Sequence, residues 1–282
     1  MKKKKRIGWA LALGAAAGLL AWSWQQDLTV SRYTLPLPAG LEGAAGLRVA
    51  QISDLHSVKM EAALAPVLKE EKPHLIVITG DLVNREDRNF DRALSLAAMA
   101  ASVAPTYFVP GNHEVDNPCY ARLRGGLLAA GVTVLEDQAV EIPYGDTVVN
   151  LIGAADITFG GKTRAEGRQI LPSKVNSLCR EGALNLLVSH RPAMLEAYGR
   201  CAVQGVFCGH AHGGQVRLPL LGPVYTPDEG MWPHVTEGVH WAGQVPVVVS
   251  RGLGNGTPTP RLWNGPELVV TTFLPEKAPA AR

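Results

Sequence analysis

The sequence predicts an α/β domain, and three observations carry that prediction. From Leu47 onward, short apolar runs alternate with helical patterns, the order of a strand–helix–strand–helix chain. Several runs are apolar without alternation, as expected for strands covered on both faces. Residues suited to metal ligation follow five of these runs, where open α/β sheets place their sites.

In chain order, Met1 to Arg6 is basic, and Ile7 to Trp24 is uncharged and apolar with Trp near both ends. A span of roughly 18–20 apolar residues can cross a bilayer, and Trp favours the interface. Positive charges before the span predict a cytoplasmic N-terminus. The expectation is therefore a single-pass cell-membrane protein, its N-terminal transmembrane helix as anchor and its folded domain extracytoplasmic. A cleaved signal peptide is the alternative; no small-x-small site precedes Asp27, and no Arg-Arg pair supports a twin-arginine signal. Residues 1–26 are assigned to the anchor, 27–46 to an extended segment and linker, 47–274 to the folded domain and 275–282 to a disordered tail.

Strands are expected at Leu47–Ile52, Leu75–Thr79, Tyr107–Val109, Val148–Ile152, Leu184–Val188, Gly205–Cys208, Val245–Val249 and Leu268–Phe273. Helices are expected near Lys59–Glu71, Phe90–Ala101, Tyr120–Ala130 and Ala193–Tyr198. Thr158 to Arg168 and Gly252 to Pro260 read as mobile loops. Leu218 to Trp232 is apolar and Pro-rich; it reads as packed on the sheet, with lipid or an acyl chain as the other reading.

The chain has 282 residues and a net charge of +2. Five of its 27 basic residues lie in Lys2 to Arg6, leaving 22 against 25 acidic ones, a net −3 for the remainder. Generic nucleic-acid binding needs a basic surface, so no nucleic-acid partner is expected. Of the four cysteines none forms a C-x-x-C pair. Buried free thiols are the expectation, and a Cys179–Cys201 disulfide the rival.

The chemistry sits at the run ends. Asp54-x-His56, Gly80-Asp81, Gly111-Asn112-His113-Glu114, His190 and Gly209-His210-x-His212 each follow an apolar run. Each alone has a plainer reading: a turn Asp, a capping His, an exposed His-x-His pair. Five strand ends delivering two Asp, one Asn and five His toward one locus make a metal site the better reading of the set. Residues two apart at a strand end can face one side, which suits Asp54 with His56 and His210 with His212.

In this order, these motifs resemble the calcineurin-like metallophosphoesterases over about Leu47 to Phe273. Gly209-His-Ala-His-Gly-Gly-Gln-Val-Arg217 and Ser250-Arg-Gly-Leu-Gly254 are similar to a bacterial membrane-associated branch, whose members include phosphodiesterases and a UDP-diacylglucosamine hydrolase. The resemblance implies a four-layer sandwich of two mixed β-sheets flanked by helices. It implies two divalent cations, Mn, Fe or Zn, which clamp a phosphate and activate a water for in-line attack. Asp54, His56 and His212 would hold the first cation; Asn112, His190 and His210 would hold the second; Asp81 would bridge both. His113 would be no ligand but would protonate the leaving group or stabilise the transition state. Many members carry Asp three residues after the bridging Asp, to orient that His. This chain has Asn84, which predicts weaker monoesterase power with poor leaving groups.

Arg191 and Arg217 follow ligand motifs closely and are candidates for phosphate contact, with ordinary salt bridges as the other reading. The expected function is a phosphodiesterase or pyrophosphatase acting as a monomer on a lipid- or nucleotide-linked phosphate near the membrane. The alternatives are a non-catalytic, tethered metal-binding module and a phosphomonoesterase or nuclease of the same fold.

Overall fold

A computed structural model describes residues 27–226, 228–256 and 260–275. The expected strands are present, and their lack of alternation has a direct cause. Each lies in one of two sheets stacked face to face, and each sheet also carries helices on its outer face.

The first sheet contains β1 (Thr29–Leu37), β2 (Arg48–Ile52), β3 (Leu75–Ile78), β4 (Thr106–Phe108), β5 (Val132–Val134) and β16 (Glu267–Pro275). Its order is β1-β16-β2-β3-β4-β5, all neighbours parallel except β16 with β2. The second contains β6 (Gln138–Tyr144), β7 (Thr147–Gly153), β8 (Leu184–Val188), β9 (Gly205–Cys208), β14 (Gly238–Ala242) and β15 (Val245–Val249). Its order is β14-β15-β9-β8-β7-β6, antiparallel at the two outer pairs and parallel between.

Along β3 the residues divide between two cores. Leu75 and Val77 face the second sheet and join Val149, Leu186, Val188 and Phe207, while Ile76 and Ile78 face Leu64, Leu68, Leu96 and Leu123 of the outer helices. The outer face of the second sheet buries Ile152, Leu187 and Val247 against Leu171, Val175 and Tyr198. The result is a helix–sheet–sheet–helix sandwich, so the inner strands are buried on both faces and mostly apolar, with Gln51, Asn150 and Asn185 among the buried polar exceptions.

Three expectations about local structure are corrected. The stretch 27–46 is not only a linker: β1 lies within it and pairs along its whole length with β16, so the folded part begins near Thr29. The loop reading of Thr158 to Arg168 misses a helix, Arg164–Leu178. Thr163 accepts a hydrogen bond from the Glu166 amide, and Glu166 reaches back to the Thr163 amide. That capping box was present in the sequence as Thr-x-x-Glu. Leu218–Trp232 is not packed on a sheet. It forms two short hairpins, β10–β11 (Arg217–Leu218, Gly222–Pro223) and β12–β13 (Tyr225–Thr226, Gly230–Met231), with Leu220, Leu221, Tyr225, Met231 and Trp232 exposed.

The single-pass localisation is also corrected. Among the described residues no helix is long and apolar enough to cross a membrane. The helix Arg164–Leu178 has 15 residues, several of them charged, where a span needs about 20 apolar ones. Ile7–Trp24, on which that reading and the bilayer as partner rested, lies outside the described residues, as does the tail from residue 276. All four cysteines are free, so the Cys179–Cys201 bridge is not formed.

Candidate metal centre

The parallel strands β2, β3 and β4 of one sheet and β8 and β9 of the other end on the same side of the sandwich. The loops that follow them carry Asp54 and His56, Asp81, Asn112 and His113, His190, and His210 and His212. Five of these eight residues have left-handed backbone: Asp54 (φ 49), His56 (φ 48), Asp81 (φ 54), His210 (φ 64) and His212 (φ 48). Such angles are uncommon outside Gly and persist where the surroundings enforce them, as at functional sites. Backbone bonds do the enforcing here. The amide of Asp54 donates to Gly80 O at 3.0 Å, that of His56 to Asp81 O at 3.0 Å, and that of Gly209 to His190 O at 2.9 Å.

The side chains converge in two overlapping groups. In the first, His56 Nε2 and His212 Nε2 are 3.2 Å apart and His212 Nε2 is 3.5 Å from Asp54 Oδ1. In the second, His190 Nε2 is 3.1 Å from Asn112 Oδ1, 3.1 Å from His210 Nδ1 and 3.2 Å from Asp81 Oδ2. Asp81 Oδ2 also lies 3.9 Å from His56 Nε2, so one carboxylate oxygen faces both groups.

This donor set fits two divalent cations. Buried imidazole nitrogens facing one another and carboxylates at such distances repel or compete for protons unless a cation stands among them. The far nitrogens of two rings are held by oxygen acceptors, which leaves Nε2 free for a cation. His56 Nδ1 donates to Asn84 Oδ1 at 3.0 Å and His190 Nδ1 to Thr79 O at 2.7 Å.

The electrostatics follow from burial. It pushes the Asp54 carboxyl up to about 6, with the Asp81 charge adding to the effect. It pulls His56 down to about 4 and His212 well below the usual range. His190 goes the other way. Burial opposes its charge, but Asp81, Asp54 and Asp156 outweigh that and raise it to about 10. His190, His56 and His113 in turn hold Asp81 well below the usual carboxylate range despite its burial.

His113 stands at the edge of the cluster. Its ring meets His56 edge-on at 4.7 Å and its amide donates to Asp81 Oδ1 at 2.9 Å. Its Nδ1 is buried without a partner, because Asn84 is engaged with His56 instead. Asn84 therefore orients a metal-ligand candidate, a different role from the one the resemblance implied.

A pocket of about 540 Å³ opens over the cluster, lined among others by Arg85, Asp116, Thr158, Arg164 and Arg191. Arg191 is buried and doubly paired, with Nε 2.7 Å from Asp156 Oδ2 and Nη1 3.1 Å from Asp228 Oδ1. Arg217 does not line the pocket; it pairs with Glu237 at 2.6 Å and donates to Gly213 O at 3.0 Å. Arg85 and Arg164 are the half-exposed cations at the mouth, and the sequence reading singled out neither for phosphate contact.

Two further groups were missed. The Glu114 carboxylate accepts from the amides of Asp81 (2.8 Å), Gly111 (2.8 Å) and Val83 (3.2 Å), tying the loops after β3 and β4 together. Arg261 Nη2 lies 3.1 Å from His212 Nδ1, and burial lowers that guanidinium to about 10. The segment Ser250-Arg-Gly-Leu-Gly254 runs against this side of the site. Its Leu253 and Gly254 amides donate to Ser53 O and Asp54 O at 3.0 and 2.7 Å.

Known proteins agree with this geometry. The chain is 26% identical over 271 residues to the uncharacterized metallophosphoesterase YkuE of Bacillus subtilis, covering 94% of this chain and 92% of that one. It is 28% identical over 228 residues to the phosphodiesterase YaeI of Escherichia coli, covering 76% and 77%. Among solved structures, the Haemophilus influenzae NAD nucleotidase NadN matches in fold with a TM-score of 0.50 at 16% identity, over 74% of this chain and 46% of that one. The model of the calcineurin-like phosphoesterases matches residues 47–214, more than half the chain and every candidate ligand. The chain belongs to that family, the calcineurin-like phosphoesterases.

Proposed function

We propose that this chain hydrolyses phosphodiesters, with Asp54, His56 and His212 holding one divalent cation, Asn112, His190 and His210 holding a second, and Asp81 shared. The observation that carries this is the single Asp81 oxygen facing both imidazole groups at the floor of an open pocket. When bound, two such cations clamp a phosphate and lower the pKa of water between them. The protein holds the ligand residues in place through the Glu114 carboxylate, which accepts the Asp81 amide, and through Asn84 and Thr79, so little reorganisation is needed on loading.

A diester is favoured over a monoester for two reasons. YaeI, named a phosphodiesterase, is similar over 76% of this chain. His113 has no carboxylate on Nδ1 to favour its protonated form, and burial lowers its pKa further. It is then seldom protonated at neutral pH, so it rarely has a proton to give a poor leaving group and suffices for an ester oxygen that departs readily. Arg85 and Arg164 supply positive charge for the phosphate's substituents. A nucleotide- or lipid-linked phosphate is the substrate class we infer, the exposed apolar hairpins of Leu218–Trp232, which also carry Arg164's partner Asp228, supporting the lipid end.

The test is hydrolysis by the Mn²⁺-loaded full chain of bis(p-nitrophenyl) phosphate, phosphomonoesters and UDP-linked lipids. Diesters should be cleaved faster than monoesters; chelation should abolish the activity and Mn²⁺ restore it. Asp81→Ala and His210→Ala should abolish it. Protein that binds Mn²⁺ and cleaves no activated diester would instead be a metal-binding module without catalysis.

A further inference from the structure

The His210 ring presents two nitrogens, and only one faces the cation cluster. Nδ1 lies 3.1 Å from His190 Nε2, inside the group that includes Asp81. Nε2 points the other way and lies 3.1 Å from Asp228 Oδ2. A carboxylate only accepts, so this contact demands a proton on Nε2 and leaves the Nδ1 lone pair free. Arg191 Nη1, also 3.1 Å from Nε2, favours the opposite arrangement. Asp228 outweighs it because it engages Arg191 itself, at 3.1 and 3.2 Å from Nη1.

Asp228 is well anchored for that task. Its side chain is 5% exposed and also takes Arg164 Nη1 at 2.7 Å. Arg191 is fixed from behind by Asp156, whose other oxygen accepts from Thr158 Oγ1 at 2.6 Å. Although burial opposes it, the His210, Arg191 and Arg164 contacts hold the Asp228 carboxyl below the usual carboxylate range.

The carboxylate reaches the site because a hairpin carries it there. Asp228 sits in the turn between β12 and β13, where the Glu229 amide donates to Thr226 Oγ1 at 3.1 Å. Its first strand, β12, packs against the turn His212–Gly214, and the preceding hairpin closes on the same turn, where a Cβ at Gly214 would stand 2.2 Å from Pro223 Cβ in β11. Any side chain at 214 would lift the preceding hairpin away from the centre.

We propose that Asp228 is a positioning residue of the metal centre. Its carboxylate holds His210 with the proton on Nε2 and Nδ1 toward the cation shared with Asp81, Asn112 and His190. The β12–β13 turn thereby sets the affinity of that one cation position. This rests on the two-cation reading above, but not on any substrate.

Carboxylates that accept from a ligating imidazole typically contribute about 10–100-fold to metal affinity. The experiment is calorimetric titration of the full-length chain with Mn²⁺, for wild type, Asp228→Leu and Asp228→Asn, with melting temperatures taken in parallel. In Asp228→Leu, one of the two Mn²⁺ positions should weaken about 10–100-fold while the other stays within about threefold. Asp228→Asn keeps an oxygen acceptor and loses the charge, so the same position should weaken by a smaller factor, about 3–10-fold. Unchanged titration overturns the proposal, and so does equal weakening of both positions, which is what loosened packing alone would give. Should Asp228→Leu fail to fold, the near-isosteric Asp228→Asn decides on the same criterion. Wild-type protein that takes up fewer than two Mn²⁺ would count against the two-cation reading itself, a result distinguishable from failure at Asp228.

Discussion

Replacing Gly111 by Ala isolates the position of the bridging carboxylate. Gly111 has φ −87 and ψ −172, extended backbone open to any residue, so the substitution carries no conformational penalty. What it meets is the site. An added Cβ would stand 2.3 Å from Asp81 Oδ1 and 2.8 Å from His190 Cε1. Ordinary contact begins near 3.4 Å, so the carboxylate must move by about 1 Å or the loop after β4 must lift by as much. The carboxylate cannot simply rotate away, because Oδ1 already accepts the His113 amide and Oδ2 faces both imidazole groups. Overpacking of this kind costs roughly 1–3 kcal/mol of stability. Displacing a catalytic geometry by about 1 Å costs on the order of 10²-fold in rate. The assay is Mn²⁺-loaded hydrolysis of bis(p-nitrophenyl) phosphate beside Mn²⁺ titration and thermal melting. The expected result is a folded protein with kcat down about 100-fold. Wild-type kcat together with wild-type Mn²⁺ affinity would refute the claim that Asp81, as placed here, joins two cation positions.

Other outcomes follow from the same geometry. His113→Ala should slow hydrolysis of alkyl diesters by about tenfold more than that of nitrophenyl diesters, a difference read from kcat across leaving groups. His190 is held protonated up to about pH 10 by its carboxylate neighbours, and a ligating imidazole must be neutral. Cation uptake therefore releases a proton, and affinity should rise with pH, by up to about tenfold per unit below that value; calorimetry in buffers of different ionisation enthalpy detects the proton. Gly125 lies in the helix Tyr120–Ala129 with open space where its Cβ would be, so Gly125→Ala should raise stability by about 0.5–1 kcal/mol without touching activity, measured by denaturant melts.

Much of the site was legible in sequence because ligation constrains residue type and strand ends constrain placement. An apolar run followed by Gly and then Asp, Asn or His marks both at once, and β3, β4 and β9 end in such a signature, while β2 and β8 end in Ser followed by Asp54 or His190. The capping box at Thr163 shows a local signal that was present and read as loop. Asp228 shows the opposite case. It lies 16 residues beyond His212 in a stretch of apolar and turn residues, and nothing local distinguishes it from a turn Asp. The same holds for Arg85, Arg164 and Arg261, and for Arg217, whose nearness in sequence to the His-x-His motif did not become nearness in space.

The sequence alone located eight of the sheet strands, the candidate cation ligands and the family to which the chain belongs, because those depend on hydrophobic period and donor chemistry along a few consecutive residues. Only the tertiary structure decided that β1 closes the first sheet and that Asn84 serves His56. The same is true of Arg191, which spends its charge on Asp156 and Asp228, and of the hairpin turn that reaches His210. Each of these is a pairing between distant segments, decided when two sheets stack and bring their strand ends to one edge, and no period or spacing within a single segment encodes it.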